Sequence, residues 1–134
     1  MISLLPNTPS QDVYLTLREK AKDLPLYTHY LVIFTNMTSR VEYAFVANVV
    51  TDNDRYTKIA INTDTNAPTN GDVLIEETGQ FWYNVWGQNS SSNLDPLNAS
   101  VVGEIERGTL QVITQETFYN PNAVTIPDNI IYYQ

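Results

Sequence analysis

The chain has no cysteine and a single histidine, and its basic residues are outnumbered by acidic ones, 7 against 15, for a net charge of −8. Without cysteine there is no disulfide staple, no thiolate metal site and no cysteine nucleophile. With His29 as the only imidazole, a site needing two histidines is excluded. A serine triad would have to use that His, yet no serine sits in a nucleophile-elbow pattern or beside a glycine-rich oxyanion loop. Arg18, Lys20, Lys22, Arg40, Arg55, Lys58 and Arg107 are scattered without a stripe or cluster, which argues against binding along a nucleic-acid backbone. The negative field also disfavours anionic membrane surfaces, and no stretch approaches the ~20 apolar residues of a membrane helix. Met1-Ile2-Ser3-Leu4-Leu5-Pro6 lacks the basic start and apolar run of a secretory signal, so the expectation is a protein that stays where it is made.

What is present is strand chemistry. The 134 residues fit one domain and include 9 Tyr, 4 Phe and 2 Trp, many in runs with Val, Ile and Thr. The first residues, with Pro6 and Pro9, show no periodicity and read as an extended arm over 1–11. Val13, Leu15 and Leu17 then alternate with Tyr14, Thr16 and Arg18 as a half-buried strand. Tyr27 to Phe34 predicts a central strand, with a turn at Asn36 to Ser39. The alternation Val41, Tyr43, Phe45, Ala47, Val49 predicts its hairpin partner. A shorter strand follows over Arg55 to Asn62, then a loop with Pro68 and Asn70-Gly71, and a brief strand at Val73 to Ile75. Gln80 to Trp86 is the most aromatic segment, Gln88 to Asn98 an exposed Asn/Ser loop, and Val101 to Ile113 the last core strand, with Gly108 as a break or bulge.

About seven strand-like segments at ~10-residue spacing, without a strong helix, predict an immunoglobulin-like antiparallel β-sandwich over 12–116, flanked by extended N- and C-terminal arms. Val32, Phe34, Tyr43, Phe45, Phe81, Tyr83 and Val85 are the expected core. The C-terminal extension, 117–134, ends on the apolar Ile130, Ile131, Tyr132 and Tyr133, which either dock on their own domain or clasp a neighbour.

Catalytic candidates are weak. Glu76-Glu77, Asp52 with Asp54, and Glu104 with Glu106 could in principle pair as acid and base; the last two would share one strand face about 7 Å apart, within the range of an inverting glycosidase pair, but a solvated face is the better explanation of them. Asp52-Asn53-Asp54 lacks the glycine and terminal glutamate of a calcium loop and reads as a turn. Asn36, Asn89 and Asn98 fit the glycan-acceptor pattern, as chance provides in an Asn/Ser/Thr-rich chain. No cofactor or metal is expected. Alternation sends Phe81, Tyr83 and Val85 inward and Trp82 and Trp86 outward, where the two indoles offer a partner-binding surface, covered by protein or used as a sugar-stacking platform.

LIEETGQFWYNV at Leu74 to Val85, QNSSSNLDP at Gln88 to Pro96 and VVGEIERGTLQV at Val101 to Val112 resemble a recurrent small β-rich virion protein of tailed phages that infect Bacteroidetes, crAss-like phages included. So does HYLVIFTNMTSRVEYAFVANVVTDNDRYTKIAI at His29 to Ile61. The Pro-rich leader and the tail after Thr117 depart from that pattern. The resemblance implies a non-enzymatic auxiliary capsid, head-decoration or fibre-base protein, located in the virion and assembled in the host cytoplasm. Its implied partners are capsid or other virion proteins and further copies of the chain, with no nucleic acid and no membrane. The alternative expectation is a carbohydrate-binding module that holds a host glycan on its outward aromatics.

Overall fold

A computed structural model describes residues 2–17, 26–53 and 55–113. Eight strands run through them: β1 (Ile2–Leu4), β2 (Gln11–Leu15), β3 (His29–Asn36), β4 (Glu42–Val46), β5 (Asn48–Asp52), β6 (Thr57–Ile61), β7 (Gly79–Gln88) and β8 (Val101–Val112). They form two sheets in the orders β1-β8-β7-β3-β4 and β2-β6-β5. The protein is an all-β sandwich.

The alternating apolar residues of both sheets meet in one cluster. Val13 and Leu15 of β2 and Ile59 and Ile61 of β6 pack against Val32 and Phe34 of β3, Phe45 of β4, Phe81, Tyr83 and Val85 of β7, and Leu110 and Val112 of β8. Each large side chain buried in this layer contributes roughly 1.5–3 kcal/mol. Phe34 and Phe45 meet edge to face at 5.1 Å. Tyr43, also expected in the core, is only half-buried and packs at its margin. Between the sheets there remains a void of about 10 Å³, too small for a ligand.

The structure corrects four details of the sequence reading. Ile2–Leu4 is part of the sheet and not of a free arm: it pairs in parallel with Leu110–Val112, and Leu4 is buried. Three residues are too few to show a period, and the partner strand lies more than a hundred residues away. Val41 to Val49 is not one strand. The chain leaves the larger sheet after Val46 and enters the smaller one at Asn48, so Ala47 is the crossing point.

Val73 to Ile75 is not a strand, although Val73 and Ile75 are buried and their N–H groups donate to the carbonyls of Asn62 and Thr63 at 3.0 and 3.1 Å. β8 passes unbroken through Gly108, which pairs with Tyr83; the register shifts instead opposite Val85/Trp86 and Gly87/Gln88. A Cβ on Gly108 would lie 2.7 Å from the Tyr83 ring, so glycine is required there for side-chain space and not for a turn. The Asn/Ser segment is the exposed loop expected, except that Gln88 belongs to the end of β7. Gln88 is fully buried, its amide donates to the carbonyls of Ser90 and Asn93, and it accepts from Asn93 Nδ2 at 2.8 Å.

Candidate functional site

The face of the larger sheet that points away from the core carries the outward residues of β3, β4, β7 and β8. Cross-strand pairing sets Glu42, Thr35, Trp82 and Thr109 in one row and Ala44, Ile33, Asn84 and Arg107 in the next. A third row holds Val46, Leu31, Trp86 and Glu104. Leu31, Ile33 and Val46 are buried here, apart from the inter-sheet cluster, so the β3–β4 half of the face is apolar. The β7–β8 half is polar. Both tryptophans point outward as their alternation predicts; Trp82 is 38% exposed, whereas Trp86 is half-buried.

A groove of about 440 Å³ opens on the polar half, lined by Thr35, Trp82, Tyr83, Asn84, Arg107, Gly108 and Thr109. Its side chains hold one another. Arg107 Nη2 donates to Glu104 Oε1 at 2.6 Å, and Asn84 Nδ2 donates to Glu104 Oε2 at 2.7 Å. Burial pushes the Glu104 carboxyl up, but these two hydrogen bonds and the Arg107 charge outweigh it and hold the group below the usual value of 4.5.

The turn between β3 and β4 brings the Arg40 guanidinium over the Trp82 indole, 5.0 Å from the ring centroid. That turn is built by Asn36, whose Oδ1 accepts the N–H groups of Thr38 and Ser39 at 2.8 and 3.0 Å. Arg40 closes it at φ 65°, a left-handed conformation that glycine or asparagine adopts more readily. Asn36 is buried, so this glycan-acceptor match is a turn-forming residue.

The carboxylates considered for acid–base work are not paired. The one-residue shift opposite Val85/Trp86 inserts Ile105 between Glu104, which pairs with Trp86 on the outer face, and Glu106, which pairs with Val85 on the inner face. Glu106 is buried and accepts a hydrogen bond from the Tyr83 hydroxyl. Expected on one face, the two glutamates therefore point to opposite sides of the sheet. Asp52 accepts from Tyr30 and Thr57, while Asn53 Oδ1 accepts the N–H groups of Arg55 and Tyr56, a side-chain-built turn. His29 Nδ1 lies 2.7 Å from Thr28 Oγ1. Among the described residues no group of three His, Asp or Glu is arranged to hold a metal ion, and no helix is long and apolar enough to cross a membrane.

Ile130, Ile131, Tyr132 and Tyr133 lie outside the described residues, as does the rest of 114–134. A different apolar surface, one the sequence reading passed over, lies on β5. Val49 and Val50 are 38% and 55% exposed on this edge strand, whose free side has no strand partner among the described residues. The register shift between Val49 and Thr51 leaves Val50 outside the ladder. Comparison with protein-family models, with curated proteins and with solved structures finds no match.

Proposed function

We propose that this chain is a non-enzymatic structural protein of a phage virion, an auxiliary or decoration protein that attaches to the capsid through its sheet edges and its C-terminal segment. The observation that carries the attachment is the edge of β5, where the adjacent Val49 and Val50 are exposed on a strand whose outer side has no strand partner among the described residues. A solvent-facing apolar edge is costly for a free protein and suits one that is covered on assembly. The bulge at Val50 twists this edge and disfavours simple strand addition, so contact there is made by side chains. A net charge of −8 keeps such a protein soluble and apart from its copies before assembly. The resemblance of His29 to Ile61 and of Leu74 to Val85, Gln88 to Pro96 and Val101 to Val112 to a phage virion protein supplies the setting, and the opposite orientation of Glu104 and Glu106 weakens the carboxylate pair whose spacing suited an inverting hydrolase.

Mass spectrometry of purified virions tests the reading. The chain is expected in the particle, at a copy number matching the major capsid subunit for a decoration protein and at a few copies for a fibre base. Absence from purified virions overturns it. Val49→Lys with Val50→Lys places two charges on the β5 edge and is expected to lower incorporation while leaving a folded monomer.

A further inference from the structure

We infer that the groove beside Trp82 is a binding site for a neutral hexopyranose, a function additional to virion attachment and independent of it. Three separate features converge on this groove. Its volume, about 440 Å³, holds a monosaccharide unit, whereas the space between the sheets holds nothing. Its wall is the indole of Trp82, an apolar surface of the size that the C–H face of a pyranose covers. Its remaining side chains, Thr35, Asn84, Arg107 and Thr109, carry hydroxyl, amide and guanidinium groups of the kind that hydrogen-bond sugar hydroxyls.

Glu104 accepts from Asn84 and Arg107 through separate oxygens, which lowers the cost of ordering them when a ligand arrives. The Arg40 guanidinium, 5.0 Å from the ring centroid, holds the indole in place. The left-handed backbone of Arg40 is the strained element of this arrangement, in the turn that delivers the guanidinium to Trp82.

Charge selects the class of sugar. Among the described residues, Arg107 is the only charged one lining the groove, and its charge is met by Glu104 at 2.6 Å. Four of its five N–H groups remain as donors to hydroxyl oxygens. The chain as a whole, at −8, repels anions, so a carboxylated sugar gains no advantage.

The test is titration of the intact protein with the methyl glycosides of glucose, galactose, mannose, N-acetylglucosamine and glucuronate, followed by calorimetry and tryptophan fluorescence. At least one neutral glycoside is expected to bind. Trp82→Ala should weaken that binding by about tenfold or more, and Trp82→Phe should retain part of it. Trp86→Phe, outside the groove lining, should leave it unchanged and make Trp82 the only tryptophan read by selective excitation of indole. Because Trp82 is partly exposed and outside the core cluster, circular dichroism of Trp82→Ala should match the parent. Failure of all the neutral sugars, binding that survives Trp82→Ala, or preference for glucuronate would each overturn the assignment. Virion mass spectrometry reads none of these outcomes, so the two proposals fail separately.

Discussion

The hydroxyl of Tyr30, on the inner face of β3, donates to Asp52 Oδ2 on β5 at 2.9 Å, and Thr57 on β6 donates to the other oxygen at the same distance. One carboxylate therefore ties the larger sheet to the smaller, close to the edge where the chain crosses between them. Hydrogen bonds to a charged acceptor are worth about 1.5–3 kcal/mol where burial shields them from water. Tyr30→Phe keeps the packing of the ring and removes this donor, together with the oxygen that accepts from the Tyr27 hydroxyl at 3.5 Å. It should lower the unfolding free energy by about 1–2 kcal/mol in urea melts, without changing the denaturant slope. An unchanged midpoint would mean that the bond adds nothing beyond what water supplies.

Gly108 and Tyr83 form a pair of a different kind, matched by volume. The Tyr83 ring lies over the glycine, and its hydroxyl donates to Glu106 two residues before it on β8. A methyl group at position 108 would have to displace the ring and that hydrogen bond together. Gly108→Ala should cost about 2–3 kcal/mol. In a Tyr83→Leu background, where the ring is gone, the same substitution should cost much less, and a double-mutant cycle of thermal or urea melts measures the difference. Equal costs in both backgrounds would place the clash elsewhere.

Arg40 separates backbone strain from side-chain contact. Arg40→Ala removes the guanidinium from Trp82, a contact worth about 0.5–1 kcal/mol, but keeps a side chain in the left-handed region. Arg40→Gly removes both the contact and the strain. The glycine variant should therefore be the more stable of the two by about 1 kcal/mol, the reverse of the usual order for exposed positions. Paired chemical denaturation of the two variants decides it.

These relationships explain which parts of the molecule could be anticipated from residues alone. Val13 and Leu15, and likewise Phe81, Tyr83 and Val85, alternate with polar or outward residues, and a two-residue period has one inner face whatever the sheet order. Trp82 and Trp86 follow from the same count. The crossing at Ala47 does not, because the alternation from Val41 to Val49 continues through it while the strand changes sheets.

A bulge has no residue signature either. Ile105 looks like any strand residue, yet its insertion sends Glu104 outward and Glu106 inward and dissolves the pair that spacing alone had suggested. The groove was legible only in its indole. Arg40 reaches Trp82 through a turn whose left-handed closing residue is not the glycine that would announce it, and Asn84 joins Arg107 through a glutamate whose face depends on the bulge.

The tyrosines give the fold an alkaline limit. Burial, then the hydrogen bond to Glu77, then the charges of Glu77 and Glu76 push the Tyr43 phenol from 10.0 up to about 12. Burial followed by hydrogen bonds to Tyr27 and Asp52 raises Tyr30 further, and burial followed by the bond to Glu106 does the same for Tyr83. In each case the folded state holds the proton more tightly than the unfolded state. The stability this represents is whole below pH 10 and falls as the pH rises toward the folded-state values, because there the unfolded chain alone releases protons. Stability should accordingly be level through neutral pH and drop between about pH 10 and 12, with tyrosinate absorbance from these three rings appearing in one cooperative step with the loss of β-sheet circular dichroism. Tyr43→Phe deletes one of the linked groups and should make the alkaline decline shallower. Release of all the tyrosine protons near pH 10 with the sheet signal intact would show that the three hydroxyls are not held as the structure places them.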